Sequence, residues 1–272
     1  MAKINPAELS PNSTSYALGG NPDGPPLIFI HGLGLSRQTW DGFLPALEGE
    51  YRLITYDLFG HGESALPPTP PDLTLFSEQI ISLMNHLGIK DAVMVGFSLG
   101  GMINRRIALD HPDRVAGLVI LNSPHERGAT EQAKVEERAR MTAEEGISST
   151  IEQTLTRWFT PDFIASNPAA VDKVRQGVLA NQLDAYAACR YVLAAGVVEL
   201  IRPSTPITAP TLVMTCAKDS GSTPAMSEAI ASEIPASILS IIPALQHMGL
   251  VEQPKLFLEE MIPFLHQHRR SS

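Results

Sequence analysis

The chain has 272 residues, is 44% hydrophobic and 18% charged, and carries a formal net charge of −9. That length and balance describe one large globular domain, or one domain with an insertion, able to bury a sizeable core. The negative charge argues against a nucleic-acid surface, and no run of about eighteen apolar residues offers a membrane span. Two cysteines, Cys189 and Cys216, make no disulfide framework and lack zinc-ligand spacing; Met1–Pro6 has no apolar signal-peptide core. The expectation is a cytoplasmic protein with no metal site.

Taken in order, Ile4–Leu9 and Ser13–Leu18 read as edge strands, and Asn21–Pro26 as a turn cluster. Leu27–Ile30 is fully apolar, as in a central parallel strand, and runs into the loop His31-Gly32-Leu33-Gly34. Ser36–Leu47 reads as a short helix and Arg52–Asp57 as the next strand, followed by the loop Leu58–Ser64. Asp57 and His61 in this region read as loop ties through side chain to backbone hydrogen bonds rather than as catalytic groups. Pro67–Pro71 is a surface loop. Leu73–Leu87 has an apolar face at helical spacing and ends at Gly88.

Val93–Val95 is a buried-strand pattern that breaks into Gly96-Phe97-Ser98-Leu99-Gly100 and then a helix to about Leu109. Strand, glycine-flanked serine and helix are the setting in which G-x-S-x-G forms a nucleophile elbow. There the serine hydroxyl projects above the sheet and the Leu99 amide points into the same space. The Leu33 amide, in the loop after Leu27–Ile30, becomes the second oxyanion donor. Val115–Leu121 is another central strand.

From about Glu126 to Leu200 no strand pattern appears. Helices are expected over Glu131–Glu145, Ile151–Phe159, Ala169–Asn181 and Leu183–Ala195. A helical block inserted between sheet strands reads as a cap over the strands' carboxyl ends, where open α/β sheets bind ligands. The strand Thr211–Cys216, a helix from Pro224 to Ile234, the strand Ser237–Ile242 and a helix from Pro254 to His266 complete the chain, with His266–Arg270 as a frayed tail. The division is a core of residues 1–124 and 202–272 and a cap of residues 125–201.

Ser98, Asp219 and His247 each follow a different strand, in the order Ser, Asp, His. The serine would be the nucleophile, His247 its base and then acid, and Asp219 the group that holds the imidazole tautomer. Asn122, after the preceding strand, cannot carry the acid's charge. His86, His111, His266 and His268 sit on helices, at a helix end or in the tail; His125 follows a strand end and is the other histidine that could reach the pocket. Cys189 and Cys216 read as buried apolar residues.

Phe29-Ile30-His31-Gly32, Tyr56-Asp57 with Gly60-His61-Gly62-Glu63-Ser64, and Gly96-Phe97-Ser98-Leu99-Gly100-Gly101 resemble the landmarks of the α/β-hydrolase superfamily over essentially the whole chain. The resemblance implies an α/β-hydrolase fold: a mostly parallel sheet flanked by helices, with an inserted helical cap. Arg157–Pro161, Asn167-Pro168, Asp184–Cys189 and His247–Pro254 resemble the 3-oxoadipate enol-lactonase group. This implies ring opening of a small lactone, in bacterial aromatic catabolism, through an acyl-enzyme on Ser98 without a cofactor. Arg190–Leu193 and Lys218-Asp219-Ser220 depart from that pattern.

A lactone with a free carboxylate needs a cationic partner, and Arg157 and Arg190 are the candidates; Trp158 is a candidate pocket wall. The implied partner is a small ester or lactone; the sequence sets no oligomeric state. Three other readings stay open: hydrolysis of a carbon–carbon bond in a ring-cleavage product, a non-catalytic ligand receptor, and perhydrolase chemistry on the same serine.

Overall fold

A computed structural model describes residues 5–268. Ile4 and the rest of Met1–Ile4, with Arg269 and Arg270 at the other end, lie outside the described residues. Eight strands form one sheet: β1 (Glu8–Leu9), β2 (Ser15–Gly20), β3 (Pro26–Ile30), β4 (Arg52–Tyr56), β5 (Ala92–Phe97), β6 (Val115–Leu121), β7 (Thr211–Cys216) and β8 (Ser237–Ile242). Their spatial order is β1-β2-β4-β3-β5-β6-β7-β8. β1 and β2 pair antiparallel, as does β2 with β4; every later pairing is parallel. β5, β6 and β7 are buried at every residue, which is why they read as unbroken apolar runs rather than alternating ones.

The helices are α1 (Leu44–Leu47), α2 (Leu73–His86), α3 (Leu99–Asp110), α4 (Ala129–Glu145), α5 (Ile151–Trp158), α6 (Pro161–Ser166), α7 (Pro168–Leu179), α8 (Leu183–Ala195), α9 (Pro224–Glu233), α10 (Gly249–Glu252) and α11 (Pro254–Gln267). Between β6 and β7 the chain is helix and loop only, and α4 packs along α8. The expected helix over Ser36–Leu47 is in fact a 3-10 turn, Arg37–Trp40, and the separate α1. Trp40 and Phe43 are fully buried and in edge-to-face contact, so tertiary packing rather than helical periodicity shapes this segment. The expected fraying from His266 is corrected in part: α11 continues to Gln267, and His268 lies against the Phe264 ring at 4.7 Å.

Asp57 and His61 act as loop ties. The Asp57 carboxylate accepts from the Arg37 amide at 2.7 Å and the Glu63 amide at 3.0 Å, and pairs with the Arg37 guanidinium. Gly62, at φ +52, leaves room for that carboxylate where a Cβ would collide with it. His31 donates from Nδ1 to the Gly32 carbonyl at 2.8 Å and accepts the Leu58 amide on Nε2 at 3.0 Å, a pattern only the neutral ring makes. His61, with its ring centroid 5.3 Å from that of His31, gives Nδ1 to the Phe59 carbonyl at 3.1 Å.

Burial pushes His31 down to about 4; burial and then the neighbouring His31 push His61 down to about 3. Both are therefore neutral in the native state while their counterparts in the unfolded chain titrate near 6.5. Below that pH the unfolded chain binds protons that the native protein does not, so acid destabilises. The expected loss is about 1.4 kcal/mol per pH unit for each ring as pH falls from about 6.5 towards 4. Urea midpoints between pH 7 and pH 5, a range in which ordinary carboxylates stay ionised, check this; a flat profile there would contradict it.

Candidate active site

Ser98 is the residue between β5 and α3, and its backbone is strained at φ 56, ψ −112. Glycines make the turn possible. A Cβ on Gly96 would strike the Gly100 carbonyl oxygen, one on Gly100 would strike that of Ile30, and one on Gly101 would come within 2.6 Å of the Ser123 Cβ. The Ser98 amide donates to the Leu121 carbonyl at 2.9 Å, and the Ser123 hydroxyl donates to the Ser98 carbonyl at 3.0 Å. Arg105, buried one turn along α3, donates to the Gly101 carbonyl at 3.0 Å, the Ser123 hydroxyl at 3.2 Å and the Pro124 carbonyl at 2.7 Å. The turn is thus held from the side by β6 and its loop.

Leu99 is the first residue of α3, so its N–H has no intrahelical acceptor and stands at the positive end of the helix dipole. Gly32 packs on the serine, with room for a Cβ only 3.2 Å from the Ser98 Cβ, and so brings Leu33 to the same place.

Asp219 follows β7 and His247 follows β8. The Asp219 Oδ2 atom accepts from His247 Nδ1 at 2.6 Å and from Asn122 Nδ2 at 2.9 Å; Oδ1 accepts the amides of Gly221 at 2.8 Å and Ser222 at 2.9 Å. Burial alone would raise the Asp219 carboxyl. The electrostatic attraction and hydrogen bond of His247, with hydrogen bonds from Asn122 and the Ser222 amide, more than offset it and hold the group below the usual carboxylate range. The His247 ring lies 4.8 Å from Phe97 and 5.9 Å from Trp158, centroid to centroid. Its loop is fastened to the C-terminal turn of α5. The Met248 amide donates to the Trp158 carbonyl at 2.8 Å, and Gln246 Nε2 donates to the carbonyls of Thr156 and Arg157 at 3.0 Å each. Just beyond, the Glu252 carboxylate accepts the Thr160 amide at 2.8 Å and hydroxyl at 2.7 Å.

A cavity of about 460 Å³ opens above these groups and is bordered by Ser98, Asp219, His247 and Leu33 from the sheet side. Arg157, Trp158 and Arg190 border it from the helical side. Of the expected site residues two do not line this cavity: Leu99 is fully buried beside Ser98, so that only its amide is placed towards the site, and His125 lies elsewhere. His125 does not line the cavity: after Pro124 the chain turns towards α9, where His125 Nε2 lies 3.2 Å from Glu233 Oε1. Sequence reasoning passed over Asn122 as a site residue because an amide cannot carry a charge; the structure has it donating to Asp219 instead. Both cysteines are buried and free, and burial pushes each thiol up to about 12. Among the described residues no helix is long and apolar enough to cross a membrane.

Residues 25–254 match the family model of the alpha/beta hydrolase fold. The chain is 32% identical over 244 residues to 3-oxoadipate enol-lactonase 2 of Acinetobacter baylyi, covering 89% of each chain. It is 25% identical to (E)-2-((N-methylformamido)methylene)succinate hydrolase of the same organism, covering 95% of this chain and 96% of that one. The crystal structure of the enol-lactonase from Burkholderia xenovorans superposes with a TM-score of 0.85 at 25% identity, over 96% of this chain and all of that one. With a serine elbow on β5, an Asp–His pair on β7 and β8 and a family match across most of its length, this chain belongs to the alpha/beta hydrolase fold family and is an enol-lactonase-like hydrolase.

Proposed function

We propose that the protein hydrolyses a small ester or lactone through an acyl-enzyme on Ser98, and that its substrate is 3-oxoadipate enol-lactone or a related compound. The observation that carries this reading is the 2.6 Å hydrogen bond between Asp219 and His247 at the cavity that also holds Ser98. With Nδ1 donating to Asp219, His247 Nε2 is left as a base. It takes the proton of Ser98 Oγ as that oxygen attacks the lactone carbonyl. The negative oxygen that forms is received by the amides of Leu33 and Leu99, aided by the α3 dipole.

Collapse breaks the ring C–O bond, and His247 returns the proton to the enol oxygen, which stays tethered to the acyl group. Water, deprotonated by His247, then attacks the acyl carbon, and Ser98 leaves with the proton. Every step uses groups of this chain and water. Residues 125–201 serve as the cap, with Trp158 as a wall and Arg157 and Arg190 facing the substrate's carboxylate. The match to a protein named for enol-lactone hydrolysis supports this substrate class.

The test is turnover of 3-oxoadipate enol-lactone beside p-nitrophenyl acetate. A kcat/KM for the lactone well above that for the nitrophenyl ester supports the assignment. Hydrolysis of the nitrophenyl ester alone discards the lactone and keeps the serine mechanism.

A further inference from the structure

The helical side of the cavity brings more positive charge than one carboxylate uses. Four arginines border the cavity (Arg127, Arg138, Arg157 and Arg190) against two carboxylates, Glu131 and Asp219. Counting these six side chains, this is a surplus of two positive charges, in a chain whose net charge is −9. Both carboxylates in that count have nearer partners than the arginines. Asp219 is taken up by His247, Asn122 and two amides, and Glu131 pairs with Lys134 at 2.6 Å. Arg127 is a structural member of the group, donating to Gln132 at 3.1 Å and to the carbonyls of Ala194 at 3.2 Å and Leu193 at 3.4 Å.

Arg138, Arg157 and Arg190 come from three different helices, α4, α5 and α8. Arg138 gives only Nε, to the Lys134 carbonyl at 3.2 Å. Among the described residues, the guanidinium groups of Arg157 and Arg190 have no hydrogen-bond or ion-pair partner, although each residue is partly buried at the cavity wall. The three are close enough to repel. Burial lowers the Arg157 guanidinium from its usual value, and the charges of Arg138 and Arg190 lower it further. The Asp219 charge offsets this only in part, so the converging cations cost free energy in the empty protein and are relieved by a bound anion. One carboxylate, with two oxygens, satisfies one guanidinium fork. Two surplus charges spread over three guanidiniums match two anionic groups.

We propose that the substrate carries two negative charges away from the scissile bond, as a pair of carboxylates or one phosphoryl group, and that Arg138, Arg157 and Arg190 together receive them. This rests on the hydrolase reading of the same cavity and moves its substrate from 3-oxoadipate enol-lactone, which keeps one free carboxylate, to a related compound that carries two negative charges.

The test is a series of p-nitrophenyl esters: of butanoic acid, with no further charge; of glutaric acid, with one free carboxylate; of tricarballylic acid, with two; and of 4-phosphonobutanoic acid, with a doubly charged phosphonate. kcat/KM is expected to rise about tenfold at each added charge, and the gain to shrink at high ionic strength. Arg138→Gln, at an exposed position, is expected to lower the ratio of the doubly charged to the uncharged ester about tenfold. Whichever of the tricarballylate and phosphonate esters leads identifies the anion.

A kcat/KM that levels off at one carboxylate, or that is indifferent to charge, overturns the proposal. Calorimetric titration of tricarballylate into Ser98→Ala protein gives a second readout that needs no turnover. Binding there that is lost with Arg138→Gln, in a protein that hydrolyses none of the esters, would remove the hydrolase reading and leave the dianion site standing; absence of binding removes the dianion site.

Discussion

Replacing Ser98 with alanine is expected to lower kcat for ester or lactone by a factor on the order of 10⁴ to 10⁶. The variant should fold normally, because the side chain makes none of the bonds that hold the turn. Those bonds run through the Ser98 amide to Leu121 and through the Ser98 carbonyl to Ser123. Ser98→Gly separates the two roles of the position. At φ 56 a side chain is strained by about 1–3 kcal/mol, and glycine is not. The glycine variant should therefore be as inactive as the alanine variant and yet unfold at a higher temperature than the parent. Scanning calorimetry with burst-phase kinetics on a nitrophenyl ester decides it. Retained turnover in either variant would remove Ser98 from the mechanism.

Asp219→Asn is expected to lower kcat by about 10⁴-fold while altering stability far less. The reason lies in its partners. Oδ1 receives two backbone amides, from Gly221 and Ser222, and so fixes which atom of an asparagine would be the carbonyl. The new amide nitrogen would then face Asn122 Nδ2 and His247 Nδ1, both donors at present. The imidazole escapes that clash by moving its proton to Nε2, the atom that must be bare to accept the serine proton. A kcat/KM profile against pH reads the effect directly. Wild-type rates in the asparagine variant would show that Asp219 does not set the tautomer.

The fold was legible in the sequence where a single physical signal dominates. β5, β6 and β7 are buried on both faces and so are apolar throughout, and the loops at their carboxyl ends carry Ser98, Asn122 and Asp219. The serine elbow and the Ser-Asp-His order were readable because each residue is anchored to its own strand. Shorter signals failed. α6 has only six residues, too few for a periodicity, although Thr160-Pro161 marks its start and the Thr160 hydroxyl accepts the Phe163 amide. α10 is shorter still.

Roles that arise between strands were hidden as well. Asn122 meets Asp219 because β6 and β7 are neighbours, with Leu121 beside Met214, and no spacing in the chain announces that pairing. His125 was placed by its distance from a strand end, which says nothing about which way the chain turns after Pro124. Arg138 sits in a helix dense with charge, where a residue facing a cavity and one facing solvent look alike in sequence.

The fastening of the His247 loop to the end of α5 constrains how the molecule can breathe. A lid that swung away on α5 would drag Met248 and Gln246 with it, and so pull the imidazole off the Asp219 carboxylate. Opening by that route would disarm the enzyme at each cycle. The other wall, where α4 and α8 lie against each other, carries none of Ser98, Asp219 and His247. The helical block is in this sense two parts: a jamb at α5, tied to the loop of the histidine, and a facing wall of α4 and α8 that carries Arg138 and Arg190 instead.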